Sequence, residues 1–173
     1  MPSLQQTLAD TTRSLHNRIE DNPLMHAMHN GDSLEHPYRW ILSKLYPFAK
    51  ESEEKISALL GDQEGFDIAR RRRIHLLHDD LADLGLTPAL YDTTLFDVIN
   101  TPTKAIGLLY VLEGSRKGGE FLSALLQKKA PHLPVRYLVG YGAATGIEWE
   151  QFCLLLERYA HTPMQHDIIA GAL

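Results

Sequence analysis

The chain has 173 residues, 44% apolar and 23% charged, enough for one domain spanning residues 1–173 with a sizeable core. A net charge of −5 excludes a generally basic nucleic-acid-binding surface, and a single cysteine, Cys153, excludes an internal disulfide. No window approaches the roughly 20 apolar residues of a membrane span and the N-terminus has no signal-type apolar core, so the expectation is a cytoplasmic protein with no nucleic-acid or membrane partner.

Leu4, Leu8, Leu15 and Ile19 recur at helical spacing and predict an amphipathic helix from Ser3 to about Glu20, closed by Asp21-Asn22-Pro23. His16 lies at the edge of that stripe, with Thr12 one turn before it, Glu20 one turn after it and Arg13 close by. A carboxylate at that spacing can take the second N–H of an imidazole, as partners of metal-bound histidines do. The alternative is a half-exposed surface histidine with an incidental neighbour. Leu24 to Asn30 reads as a short helix ending at Gly31, with His26 and His29 on its surface. A long helix follows from Tyr38 to about Leu60. Its expected core face is Trp40, Ile41, Leu45, Phe48, Ile56 and Leu59, its solvated side Glu51, Glu53, Glu54 and Lys55, and Pro47 should bend it. After a turn at Gly61 to Gly65, Arg70-Arg71-Arg72-Arg73 opens a helix that runs through Leu84 and stops at Gly85, with Ile74, Leu77, Leu81 and Leu84 inward. Four arginines in a row predict a solvated face or, alternatively, a docking patch for an acidic protein.

A proline-containing connection from Thr87 to Asn100 holds the apolar segment Leu95 to Ile99. Thr101 then reads as an N-cap with Pro102 at the first helical position, opening a helix to about Ala130. That helix contains GLLYVLEGSRKGGEF, Gly107–Phe121, in which Gly114, Gly118 and Gly119 fall within two turns. Each helical glycine costs roughly 1 kcal/mol against alanine, so three together ask for a reason: a loop, close helix packing, or a bend where a flat ligand presses on bare main chain. Pro131 to Pro134 ends the helix, Arg136 to Gly146 is a glycine-rich turn or short helix, and Trp149 to Tyr159 is a helix with Phe152, Leu155, Leu156 and Tyr159 inward. Gln165 to Leu173 adds a helical turn or two. Cys153, in FCLLL, reads as a buried structural thiol. No period-two strand and no internal repeat appears, so the fold class is all-α.

The common enzyme signatures are missing: there is no phosphate loop, CxxC, HExxH or GxSxG, and GSRKGG has the wrong spacing for the first. An enzyme built this way would leave the hard chemistry to a cofactor. TTRSLHNRIEDNPLM, RRRRIHLLHDDLADLGL, GLLYVLEGSRKGGEF and YLVGYGAATGIEWEQF together resemble the heme oxygenases, most of all the bacterial group associated with bacteriophytochromes, from about Leu4 to Tyr159. The resemblance implies a single-domain helical bundle with a kinked distal helix, and heme b as both cofactor and substrate. It implies a reaction with dioxygen and reductant that yields biliverdin, carbon monoxide and iron. By the same resemblance His16 is the proximal iron ligand and Glu20 supports it. Thr12 and Arg13 join the heme contacts, Arg13 toward the propionates. Gly114, Gly118 and Gly119 bring distal backbone to the heme face, and Gly114, Ser115 and Gly118 carry the catalytic role. Ser115 stands where animal members place an aspartate. Arg116-Lys117 replaces a less charged pair, which leaves the direction of both side chains open, and Arg158 is a propionate candidate by chemistry alone. Implied partners are an electron donor (ferredoxin, flavodoxin or a reductase) and a bacteriophytochrome as biliverdin acceptor. The alternatives are a non-catalytic heme-handling protein on the same fold, or the related helical group acting on thiamine-type or quinone-type molecules, for which Cys153 alone is poor support.

Overall fold

Two capped helix starts frame the architecture. Ser3 Oγ accepts the N–H of Gln6 at 3.0 Å, and the Glu157 carboxylate accepts those of Leu4 and Gln5 at 3.3 and 3.1 Å, so three first-turn donors of the N-terminal helix are satisfied. Thr101 Oγ1 accepts the N–H of Lys104 at 3.3 Å, with Pro102 at the first helical position. The computed structural model describes residues 2–30, 33–61, 65–88 and 94–173, with backbone only at Thr94 and Leu95. In chain order the helices are α1 (Leu4–Glu20), α2 (Pro23–Asn30), α3 (Glu35–Leu60), α4 (Ile68–Arg71), α5 (Ile74–Asp83), α6 (Pro102–Lys129), α7 (Thr145–Leu156) and α8 (Met164–Gly171). Short 3₁₀ turns fall at Thr94–Val98, Gly142–Ala144 and Glu157–Tyr159, and no strand occurs among the described residues. The expected stop at Gly31 lies outside the described residues, as do parts of the Gly61–Gly65 turn and of the Thr87–Asn100 connection.

The fold is organised around α6, which passes through two buried clusters. One gathers Leu4 and Leu8 of α1 with Leu108, Leu109 and Leu112 of α6, Phe152 and Leu156 of α7 and Ile168 of α8. The other gathers Met28 of α2, Tyr38 and Leu42 of α3, and Leu77 and Leu81 of α5 with Leu122 and Leu126 of α6. α8 lies directly against the start of α6: a Cβ on Gly107 would stand 2.0 Å from the Ile168 carbonyl oxygen, and one on Gly171 2.1 Å from that of Lys104. Only glycine allows that approach.

Two expectations need correction. The buried face of α3 is Tyr38, Leu42, Tyr46, Ala49, Ile56 and Leu60, while Trp40 and Phe48 are exposed and Ile41, Leu45 and Leu59 flank the core. Large aromatic residues drew the predicted stripe to the wrong side. Phe48 instead covers the ring of Phe96 at 5.7 Å, and Lys44 Nζ lies 5.4 Å over the Trp40 ring. Glu53, expected on the solvated side, is buried and accepts the N–H groups of Arg73 at 2.8 Å and Ile74 at 3.1 Å. That contact explains the second correction. The four arginines do not open one helix, because Arg72 is extended (φ −71°, ψ 130°) and α5 starts afresh at Ile74 with Glu53 capping it. Arg71 is buried and Arg73 half-buried, so the run is not a solvated face.

Candidate functional site

α1 is anchored at its start and free at its end. Leu4 and Leu8 are fully buried, but from Ala9 to Ala27 no residue is, and Ile19 is 63% exposed where the apolar stripe predicted burial. The next buried residue is Met28 in α2. Two contacts bracket the uncovered span. At one end the Tyr110 hydroxyl lies against the Thr12 side chain, one turn before Gly114; at the other the His29 ring meets Phe121 at 5.9 Å, one turn after Gly118. The segment carrying His16 therefore crosses the glycine stretch of α6, attached on either side of it, with no residue fully buried between Ala9 and Ala27.

His16 presents an imidazole with 69% of its side chain exposed, and its Nδ1 lies 3.4 Å from Glu20 Oε1. The row of Thr12, His16 and Glu20 forms as its spacing predicts, although Thr12 Oγ1 is turned back onto its own helix, donating to the Leu8 carbonyl at 2.8 Å. Arg13 is exposed and pairs with Asp10. Contacts from Gln6 and Arg13 hold the Asp10 carboxyl below its ordinary value. Ser115 is exposed, and its hydroxyl donates to the Leu112 carbonyl at 2.7 Å.

The three glycines divide into two uses. A Cβ on Gly118 would meet nothing within 4 Å, and one on Gly114 would touch only the Trp149 ring edge, 3.7 Å away. A Cβ on Gly119 would stand 2.8 Å from the carbonyl oxygen of Leu138, so its bare backbone is already taken up by packing. Gly114 and Gly118 thus have open surroundings, while close packing alone accounts for glycine at 119. The Tyr110 and Trp149 rings meet at 5.7 Å, tilted by 45°, beside Gly114, and neither was singled out in the sequence. Tyr110 could have been, since it lies one turn from Gly114 on the same helical row.

Arg116 points inward and Lys117 outward. Glu113 is buried, bonded to Arg116 and 2.9 Å from Arg71 Nη1, and it accepts the Tyr141 hydroxyl at 3.1 Å. Arg116 also donates to the Tyr141 hydroxyl and to the Arg71 carbonyl, while Arg71 Nε donates to the Phe66 carbonyl at 2.6 Å. The Arg73 and Arg116 guanidiniums lie 4.3 and 4.9 Å from the Tyr141 ring centre. Burial, with Glu113 beside it, pushes the Tyr141 phenol up to about 12, and burial together with Arg116 holds Arg73 below its ordinary value. Arg70 completes the set by pairing with the buried Glu148. The sequence signal for this cluster was a lone glutamate inside an apolar helical run, with Arg116 three residues on as its local partner and Arg71 and Tyr141 supplied by the tertiary fold.

Cys153 is a buried free thiol, pushed up to about 11 by burial, and not a nucleophile. No group of His, Cys, Asp and Glu that could hold a metal ion by itself occurs among the described residues. None of the helices among them is long and apolar enough to cross a membrane. The propionate candidate Arg158 lies in the Glu157–Tyr159 turn after α7.

No family model matches the chain. It is 28% identical over 151 residues to a heme oxygenase of Xanthomonas campestris pv. campestris (strain 8004), covering 86% of this chain and 90% of that protein. Among solved structures it superposes on the NO- and CO-bound heme oxygenase from Neisseria meningitidis with a TM-score of 0.75 and 24% identity, covering 99% of this chain and 85% of that one. The fold is thus that of a heme oxygenase.

Proposed function

We propose that this chain is a heme oxygenase that binds heme b between α1 and the glycine stretch of α6 and opens the ring, with O2 and reductant, to biliverdin, carbon monoxide and iron. The observation that carries the reading is the bracketed gap: an exposed histidine, backed by a carboxylate, on a segment that crosses Gly118, whose missing side chain would occupy open space, and Gly114, whose missing side chain would touch only the Trp149 ring edge. The residues fit a flat macrocycle. His16 would supply the iron ligand through Nε2, since its Nδ1 faces Glu20, and a carboxylate on that side favours the tautomer protonated at Nδ1. Leu15, Ile19 and Phe121 add apolar surface that water now covers, and its removal would contribute to binding.

Bound heme would supply the oxygen chemistry; the protein's part is to hold it and keep acids away. On its open side α6 offers the backbone of Gly114 and Gly118. The nearby hydroxyl of Ser115 is committed to Leu112, and the charge of Arg116 is directed inward to Glu113. No carboxylic acid or imidazole of α6 is thus aimed at that face, which suits ring hydroxylation better than cleavage of an oxygen–oxygen bond driven by a strong proton donor.

Residues 1–173 act in this reading as one domain. The electron donor is a ferredoxin, flavodoxin or reductase, and a bacteriophytochrome is a candidate recipient of the biliverdin. The resemblance to the bacteriophytochrome-associated group supports the latter, and a lone buried cysteine agrees with a reducing, cytoplasmic setting.

The test is spectroscopic. Purified protein mixed with hemin develops a Soret band, which decays into the broad red band of biliverdin when ascorbate or a ferredoxin system is added in air. A stable Soret band under those conditions would instead mark a heme-handling protein. His16→Ala abolishes turnover and imidazole restores part of it; normal turnover by that variant without imidazole would remove His16 from the site.

A further inference from the structure

Gly114 and Gly118 can serve as a ligand wall only if α6 is held at one rotation about its axis, because a shift of one residue turns the helix by about 100°. The two residues that fix that rotation lie within the motif itself. With about 100° per residue, the Glu113–Arg116 pair and the Gly114–Gly118 pair lie about 150° apart around the helix, so one pair faces the interior when the other faces out. The inner pair is gripped from separate segments of the chain: by Arg71 of α4 through its side chain and its carbonyl, and by Tyr141 in the turn before α7. Glu113 and Arg116 have only 1% and 8% of their side chains exposed. A carboxylate this deep, shared between two guanidiniums and a phenol, tolerates little displacement, since any rotation leaves a buried charge unpaired.

We propose that Arg116 and Tyr141, acting through Glu113, are positioning residues that set the rotation of α6 and thereby the direction in which Gly114 and Gly118 present bare backbone to the heme. The inference rests on the heme-oxygenase reading above and gives it a specific mechanism. Arg116 forks between Glu113, Tyr141 and the Arg71 carbonyl from two separate nitrogens, a spread that the planar guanidinium spans and the single nitrogen of an ammonium reproduces poorly. Neither residue touches the open face, so both act at a distance.

Two variants test it. Arg116→Met leaves Glu113 still neutralised by Arg71, and Tyr141→Phe removes one hydroxyl with almost no change of shape; melting of the heme-free protein establishes that each folds. In both, hemin still binds with the Soret spectrum of the wild type, because α1 and His16 are untouched. Azide affinity of the ferric heme complex, which reports the space opposite His16, shifts by about tenfold, less than the roughly hundredfold that misplacing an active-site group by an ångström can cost. The biliverdin formed spreads over more than one meso isomer, and Arg116→Lys falls between wild type and Arg116→Met. Azide affinity and isomer distribution unchanged from wild type in a folded Tyr141→Phe or Arg116→Met protein would overturn the proposal. Failure of the wild type itself to bind or cleave heme would instead overturn the reading beneath it.

Discussion

The two sides of α6 across Glu113–Gly119 use the same few residues in opposite ways. Inward, Glu113, Arg116 and Gly119 are committed: the first two to a buried ionic cluster, the third to contact with the Leu138 carbonyl. Outward, Gly114 and Gly118 have almost nothing to touch but the edge of Trp149. Glycine on the inner side is explained by the protein's own packing, whereas glycine on the outer side is not, and its cost in helix stability points to something beyond the chain. A motif that looks uniform in sequence thus divides into a packed side and an open side, and the open side is the one the proposed heme site uses.

The contrast can be broken most severely from within. Glu113→Leu leaves Arg71 and Arg116 buried without a carboxylate and should cost about 3–5 kcal/mol, measured by denaturant unfolding of the heme-free protein. A loss no larger than that of a surface substitution would mean the cluster does not hold α6. Next comes Gly119→Ala, whose methyl would meet the Leu138 carbonyl at 2.8 Å; it should destabilise by about 1–3 kcal/mol, and a neutral result would free Gly119 to be counted with the open side. A smaller effect appears at alkaline pH. The Tyr141 phenol is pushed from its ordinary 10.0 up to about 12 in the folded protein, so between those values the folded state keeps a proton the unfolded chain has lost. Stability therefore falls as pH rises from 10.0 to about 12, a fall to which the buried Tyr137 and Cys153, also pushed up, contribute; Tyr141→Phe should remove its own share and make the fall shallower in a pH series of melting curves.

Much of this was legible in the residues. Ser3, Thr101 and Pro102 mark helix starts that the structure keeps, the Thr12, His16 and Glu20 row forms as spaced, and Cys153 is buried as FCLLL suggests. These are local features, set by neighbours within a turn. What could not be read depended on distant parts of the chain. Glu53 looked solvated because its role is to cap α5, which begins only where Arg72 breaks the helix. The arginine run looked like surface because its buried partner, Glu113, lies on another helix. Gly118 and Gly119, adjacent in sequence, could be told apart only once the Leu138 carbonyl was seen against one of them and nothing against the other.

The claim that heme lies on the open side of α6 is tested most directly by a hemin titration of Gly118→Leu, followed at the Soret band alongside melting of the heme-free protein. Leucine is a better helix former than glycine and meets no atom within 4 Å at its Cβ, so the heme-free protein should melt no lower than wild type. Hemin affinity should fall sharply, because the new side chain occupies the space that the macrocycle needs. Wild-type hemin affinity in a stably folded Gly118→Leu protein would contradict the account.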